Sequence, residues 1–211
     1  MCKFAAKSNI TIMKKITLAI IFAFCALSLV AQHPIRVNYR GATPTITDLA
    51  WAFFNDIEND EEECGDRPAL AVKEAWSRYL KNLPQEEGTT FTLDEKNGYV
   101  FYEYIYNSNT IRMEMCYWNE SDGKHKLFAF NNMASFDEDG PIATETSGIY
   151  FFRYDNAKKR MTYCYTPGFV VDYQNTYALP RAGKDIVETK WNADGTKTET
   201  ILKWDGHKFN R

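Results

Sequence analysis

From Gly88 onward, apolar and polar residues alternate with a period of two, which is the pattern of half-buried β-strands. Short links rich in Gly, Asn, Asp and Ser separate most of the alternating segments. Links this short join antiparallel neighbours, because parallel strands need crossovers of about a dozen residues or more. The alternation therefore predicts antiparallel strands at 89–94, 98–106, 110–118, 124–131, 148–154, 159–165, 185–192 and 196–204.

The side chains along these strands predict which faces of the sheet are buried. Segments 98–106 and 148–154 carry aromatic residues on both faces, as expected of central strands that are covered twice. Segment 110–118 has one apolar face and one more polar face, and the second contains Cys116 and Trp118. The two helices that precede the strands are the expected cover.

Those helices are predicted from apolar residues at helical spacing. The first follows a cap-like start at Thr45–Asp48, and the second begins at Pro68 and ends before Pro84. Both are amphipathic, so each needs a surface to pack on. The sequence predicts an α+β fold with helices within about 45–83 on a large curled antiparallel β-meander of about eight strands, barrel-like or strongly twisted.

The N-terminus has the three parts of a Sec signal peptide. Two lysines after Met13 precede an apolar run at 16–30, and the small residue Ala31 ends it. We expect the functional start at Met13, a signal peptide at 1–31 and a single mature domain at 32–211. The mature protein is then periplasmic, exposed at the outer surface or secreted.

Two other readings of this segment remain open. A retained membrane anchor is one, although the run is shorter than the roughly 20 residues that span a bilayer comfortably. A lipid anchor on Cys25 is the other, but Phe24 precedes that cysteine where a lipobox has a small residue.

The charge of the chain excludes two classes of partner. The precursor has 25 Lys and Arg against 28 Asp and Glu, a net charge of −3. Cleavage after Ala31 would remove four lysines and no acids, leaving 21 basic residues against the same 28 acids and a charge of −7. An acidic chain without a basic block is poorly suited to nucleic acid or to an anionic membrane.

Three cysteines remain after cleavage: Cys64, Cys116 and Cys164. Export permits disulfides, but an odd number cannot be fully paired, and the spacing matches no metal site. A bridge between Cys116 and Cys164 is left open.

The sequence predicts no catalytic residue, metal or cofactor. His33, His125 and His207 are not part of any metal or triad motif, and no phosphate- or dinucleotide-binding glycine pattern is present. Acids cluster at 56–66, where solvated charge is the simple explanation. A second cluster at 137–140 could alternatively bind calcium. A facing carboxylate pair, as in glycosidases, cannot be read from sequence.

Strand aromatics are the remaining candidates for a binding site. Placed beside polar groups on a sheet surface, they would suit a sugar or peptide ligand, whereas the alternative is that they fill the core. Two long loops, 132–147 and 167–184, are further places where function is expected. The candidate ligand-binding residues are Tyr102, Tyr104, Trp118, Tyr150 and Trp191.

The two segments Leu179–Ile186 and Leu202–Phe209, together with the signal peptide, resemble the small exported β-rich proteins of Bacteroidetes, which have no assigned function. The resemblance implies a location outside the cytoplasm of a Gram-negative bacterium and no activity.

These observations lead to one functional expectation with two alternatives. We expect an exported, non-enzymatic binding or interaction module of the bacterial envelope, whose partner is an envelope protein, a glycan or a peptide. We expect no nucleic-acid partner and no stable membrane span after signal cleavage. A carboxylate-dependent hydrolase of glycans or peptides and a structural envelope component are the alternatives.

Overall fold

The computed structural model describes residues 33–60, 68–106, 109–136, 144–165, 167–172, 174–192 and 196–211. Within these ranges the chain forms two helices and eleven strands. In chain order they are β1 (Ile35–Arg36), α1 (Ile46–Asp60), α2 (Pro68–Leu80), β2 (Thr89–Asp94), β3 (Tyr99–Tyr106), β4 (Asn109–Asn119), β5 (His125–Phe136), β6 (Thr144–Asp155), β7 (Arg160–Cys164), β8 (Asn175–Ala178), β9 (Ile186–Trp191), β10 (Lys197–Trp204) and β11 (Phe209–Asn210).

Seven strands form one curled sheet with the shape of a half-barrel. Their spatial order is β1-β7-β6-β5-β4-β3-β2, and every neighbouring pair is antiparallel. Strands β2 to β7 therefore follow one another as a meander, and β1 is added at the far edge. The predicted α+β class and the antiparallel pairing are confirmed.

The last strands form a second, four-stranded antiparallel sheet in the order β11-β10-β9-β8. Sequence alone places about eight strands in one meander, but β9 and β10 belong to this separate sheet. The physical reason is the long link between β7 and β8, which lets the chain cross to the other face of the first sheet. There β8 packs across β5 and β6.

A glycine allows this crossing chain to lie directly against β11. The backbone N–H of Phe209 donates to the Pro167 carbonyl oxygen at 2.9 Å. Gly168, the next residue, has a φ of +99°, and a Cβ there would lie only 2.1 Å from the Phe209 carbonyl oxygen. Only a residue without a side chain fits so close an approach.

The helices cover one face of the seven-stranded sheet. Helix α1 buries an apolar stripe that includes Leu49 and Phe53. The Phe53 ring has centroid distances of 5.8, 4.8 and 5.3 Å to Phe128, Phe130 and Phe152 on the two central strands. This aromatic cluster is the centre of the first core.

The second sheet covers the opposite face and creates a second core. The seven-stranded sheet contributes Trp118, Leu127 and Phe151, which pack against the second sheet. The second sheet's own contribution is Tyr177, Ile186, Leu202, Trp204 and Phe209. The more polar face predicted for 110–118 is therefore buried, with Trp118 only 4% exposed.

The sequence left the pairing of Cys116 and Cys164 open, and both are free thiols in the structure. Cys116 lies in the core between the sheets, and burial raises the pKa of its thiol well above the usual range. Burial also raises the pKa of the half-buried Cys164, to about 11. Both thiols are therefore protonated and unreactive at neutral pH. Cys64 lies outside the described residues.

Truncation of the central ring of the first core tests the docking of α1. Phe53→Ala should lower the free energy of unfolding by about 3–5 kcal/mol, because it leaves a cavity among three other rings. Leu80→Ala at the end of α2 is the control: Leu80 is 62% exposed. The control should change stability by less than about 0.5 kcal/mol in urea denaturation. Equally small effects of both substitutions would show that α1 does not pack on this sheet.

Candidate functional site

The structure does not bring the five candidate aromatic residues together. Trp118 lies between the sheets and donates its indole N–H to the Lys184 carbonyl oxygen at 2.8 Å. Tyr150 stacks on Phe130 in the helix-covered core. Trp191 lies on the outer face of the second sheet, where the Lys197 ammonium sits 3.7 Å from the centre of its ring. Tyr102 is 6% exposed and belongs to the same core as Tyr150, with Tyr104 packed against it, and both tyrosines also line a groove at the surface.

That groove lies between α2 and the strands β2 and β3 and has a volume of about 230 Å³. Arg78 forms ion pairs in it with Glu74 at 3.4 Å and Glu86 at 3.0 Å. Burial, followed by the nearby Tyr104 and Glu86, raises the pKa of Tyr102 to about 12. The groove is thus small, and its charges already pair with one another.

A larger cleft of about 460 Å³ lies between β1 and α1, and we call it the α1–β1 cleft. Two neighbouring stripes of α1 face different surroundings. One faces the cleft, and the other faces the core and consists of Ile46, Leu49, Ala50, Phe53 and Phe54. The two stripes differ because residues three and four apart share a helix face. The cleft is lined by Ile35, Arg36, Asn38, Asp48, Trp51, Ala52, Asn55 and Asp56.

The N-terminal turn of α1 fixes the carboxylate at one end of the cleft. Asp48 accepts hydrogen bonds from the Thr45 backbone N–H at 2.8 Å and from the Thr45 hydroxyl at 3.0 Å. In return, the Asp48 N–H donates to the Thr45 hydroxyl oxygen at 3.4 Å. This reciprocal arrangement is a capping box, as the Thr45–Asp48 pattern predicts. It holds the carboxylate in one orientation at the mouth of the cleft.

The middle and far end of the cleft combine an indole with polar groups. Trp51 is half-buried and packs on Trp76 with ring centroids 5.4 Å apart. One turn further, Lys73 of α2 donates to the Asn55 side-chain oxygen at 2.7 Å. Asp56 has an oxygen 3.0 Å from Nε2 of His33. The indole of Trp51 is therefore bordered by amide and carboxylate groups and by the Lys73 ammonium, 5.6 Å from the centre of its ring.

Sequence reasoning did not identify these residues. The sequence signal that could have found them is Trp51, a large aromatic residue beside the core-facing stripe of α1 rather than within it. The opposite wall could not be found in this way, because β1 is two residues long and too short to show alternation.

A second polar cluster lies in the turn between β4 and β5. Ligand atoms of Glu120, Asp122 and His125 lie within 4.8 Å of one another, a spacing that could hold a metal ion. The Arg153 guanidinium donates to both Glu120 oxygens, at 2.7 and 2.5 Å, and lies 3.6 Å from Asp122. An arginine cation therefore already balances the acids of this cluster.

A third polar group is buried between the two sheets. The Glu114 carboxylate is 8% exposed and accepts hydrogen bonds from the Tyr99 hydroxyl, the Asn131 amide and the Leu179 backbone N–H, at 2.8, 3.1 and 3.0 Å. Asn131 also donates to the Tyr177 carbonyl oxygen at 2.6 Å. Burial, followed by the Glu114 charge, raises the pKa of Tyr99 far above its usual range, so the hydroxyl remains a donor. These bonds join the two sheets.

The remaining acidic predictions cannot be placed. The segment 137–140, the alternative calcium site, lies outside the described residues, and so does most of the acidic segment 56–66.

Neither of the two described helices has the length and apolar character that a bilayer crossing needs. Comparisons with protein-family models, with curated proteins and with solved structures gave no match.

Removal of the carboxylate between the sheets should be costly. Glu114→Ala leaves three buried donors without an acceptor, and we expect the free energy of unfolding to fall by about 3 kcal/mol or more. Glu199→Ala, an exposed position on β10, is the control and should change stability by less than about 0.5 kcal/mol. Urea denaturation gives both values, and a loss at Glu114 no larger than at Glu199 would contradict the assigned hydrogen bonds.

The turn cluster should contribute to stability in a pH-dependent way. The hydrogen bond with His125, followed by the backbone N–H of Lys124, lowers the pKa of Asp122 from 3.8 to about 2. A lowered folded-state pKa means that the stabilisation is present above the unfolded pKa and disappears as the pH falls towards 2. Asp122→Asn should therefore destabilise the protein at neutral pH, and the difference should vanish between about pH 4 and pH 2.

Chemical denaturation at a series of pH values measures this difference. Glu199→Gln, outside the cluster, should follow the parent protein throughout. A difference between Asp122→Asn and the parent that stays constant down to the lowest pH would contradict the lowered pKa.

Proposed function

We propose that this protein is an exported, non-enzymatic binding module of the bacterial envelope that holds its ligand in the α1–β1 cleft. The observation that carries the proposal is the cleft itself. Its volume of about 460 Å³ falls in the range of roughly 300–1,000 Å³ typical of ligand sites. Ile35, Trp51 and Ala52 supply its apolar atoms, and five of its eight lining residues are polar or charged, a more polar lining than that of most small-molecule sites and one that suits a polar ligand.

The positions of the carboxylates favour binding over hydrolysis. Asp48 and Asp56 are eight residues apart on one helix, which separates them by about 12 Å along its axis. Glycosidase pairs are about 5–10 Å apart and face each other across the substrate. Asp48 is also engaged by Thr45, and Asp56 by His33. Such carboxylates suit the orientation of a ligand better than the transfer of a proton to it.

Export is supported by the N-terminal sequence and places the ligand outside the cytoplasm. The charged start, the apolar run at 16–30 and Ala31 have the order that signal peptidase recognises. The resemblance to exported proteins of Bacteroidetes points to the same compartment. The partner is then an envelope protein, a glycan or a peptide.

Production of the full chain in a Gram-negative host tests both parts of the proposal. We expect protein in the periplasmic fraction with Gln32 as its first residue. On glycan and peptide arrays, we expect the purified protein to retain ligands that Ala52→Arg loses. Because Ala52 lies in the lining of the cleft, the bulky cation should reduce affinity about tenfold or more. Tyr165→Ala, at a position 90% exposed and outside the cleft, should bind like the parent.

Two outcomes would reject the proposal. Equal binding by Ala52→Arg and the parent would place the ligand elsewhere on the protein. Cleavage of array ligands, lost on substitution of Asp48 or Asp56, would favour the hydrolase instead.

A further inference from the structure

One wall of the α1–β1 cleft is the open edge of a β-sheet. Strand β1 is the last strand of the seven-stranded sheet, and among the described strands it pairs with β7 alone. The register joins Ile35 to Met161 and Arg36 to Arg160. The backbone N–H of Val37 donates to the Lys159 carbonyl oxygen at 3.0 Å, which extends the ladder by one residue.

This register fixes the direction of the Arg36 backbone. In an antiparallel pair, alternate residues exchange hydrogen bonds with the partner strand, and the residues between them point their N–H and C=O groups the other way. Val37 belongs to the first set, so Arg36 belongs to the second. Its donor and acceptor face away from β7, and Arg36 and Asn38 both belong to the cleft lining. Among the described residues, no backbone group pairs with the N–H or the C=O of Arg36.

We propose that the ligand of the cleft is an extended segment of another polypeptide, which adds as a strand to the edge of β1 and carries basic side chains. The proposal rests on the proposed function and names the ligand of the same site. An incoming strand would exchange two backbone hydrogen bonds with Arg36 and would lie between β1 and α1. Strand addition of this kind derives its affinity from the main chain and its specificity from alternate side chains.

Electrostatic complementarity determines which side chains the segment carries. The Ile35 side chain packs into the helix-covered core, so the Arg36 side chain points to the opposite face of the sheet. On the helix side, the incoming strand therefore meets Trp51, whose ring centre is 5.6 Å from the Lys73 ammonium, Asp56, which already contacts His33 at 3.0 Å, and the carboxylate of Asp48. A lysine or arginine there can place its charge beside Asp48, which accepts hydrogen bonds from the uncharged Thr45.

Pro34 restricts the register of the added strand. It is the next residue whose backbone would face the cleft, and proline has no N–H to donate. An incoming strand can therefore form a two-bond pair at Arg36 but not at Pro34. Because β1 is short and is preceded by Pro34, its edge is also protected against unwanted pairing with the edges of other sheets.

The test uses fluorescein-labelled peptides of about ten residues, the upper length of an ordinary strand. The first peptide alternates Lys and Thr. Because successive side chains of a strand point to opposite faces, all its lysines can face α1 when the threonines face away. The second alternates Glu and Thr. The third repeats the first but is N-methylated at alternate residues on one edge, which removes the donors that pair with β1 and keeps the charge.

Fluorescence anisotropy with the mature, exported protein measures the affinities. We expect the Lys-Thr peptide to bind, and the Glu-Thr and N-methylated peptides each to bind about tenfold or more weakly. Asp48→Asn keeps an acceptor for Thr45 but removes the charge, and it should lower the affinity for the Lys-Thr peptide several-fold. Arg36→Pro and Arg36→Ala both remove the arginine side chain, but only Arg36→Pro also removes the outward-facing N–H, so its affinity for the peptide should be about tenfold lower than that of Arg36→Ala.

Amide exchange followed by NMR gives a readout that does not depend on the choice of variant. The Arg36 amide should exchange rapidly in the free protein and slowly with the Lys-Thr peptide bound. An Arg36 amide already protected in the free protein, equal affinity for the N-methylated peptide, or no binding of the Lys-Thr peptide up to about 1 mM would overturn strand addition. If other array ligands are still lost in Ala52→Arg, the cleft remains the binding site and only the identity of its ligand is wrong. If no ligand depends on Ala52, the proposed function itself fails.

Discussion

The structure depends on burial of the seven-stranded sheet on both faces. Strands β4, β5 and β6 place one set of side chains under the helices and the alternate set under the second sheet. Phe128 and Phe152 belong to the first set, whereas Leu127 and Phe151 belong to the second. A strand buried on both sides cannot slip by one residue without exchanging its two sets. Double burial therefore fixes the register of the meander and, through it, the edge at which β1 pairs.

The second core shows how a polar residue can specify the same arrangement. Glu114 would be costly to bury alone, but donors from both sheets surround it. Its bond from Leu179 and the bond from Asn131 to Tyr177 are possible only when the second sheet lies in one position. Apolar packing between the sheets would tolerate sliding, whereas these directional bonds do not. The carboxylate thus selects one alignment of two surfaces that hydrophobic burial alone would hold loosely.

The candidate site lies where this double cover ends. At the β1 edge the second stripe of α1 contacts the core through Trp51 and Ala52, and it also carries the polar residues Asp48 and Asn55 beside β1. The sequence made the core-facing stripe predictable, because its apolar residues recur at helical spacing. The cleft was not predictable, because it needs β1, and β1 pairs with residues more than a hundred positions away in the chain. Of the five aromatic residues expected at a site, Tyr102 and Tyr104 share a groove and the others lie apart.

The sequence by itself determined the local structure. Period-two alternation after Gly88 specified antiparallel strands, short links specified hairpins, and aromatic residues on both faces of 98–106 and 148–154 required two covers. Only the tertiary structure decided that the second cover is a separate sheet and that β1 completes the first one. The reason is physical. Periodicity is set by neighbours two to four residues apart, whereas β8, β11 and β1 are too short to show a period and exist only because distant surfaces pair with them.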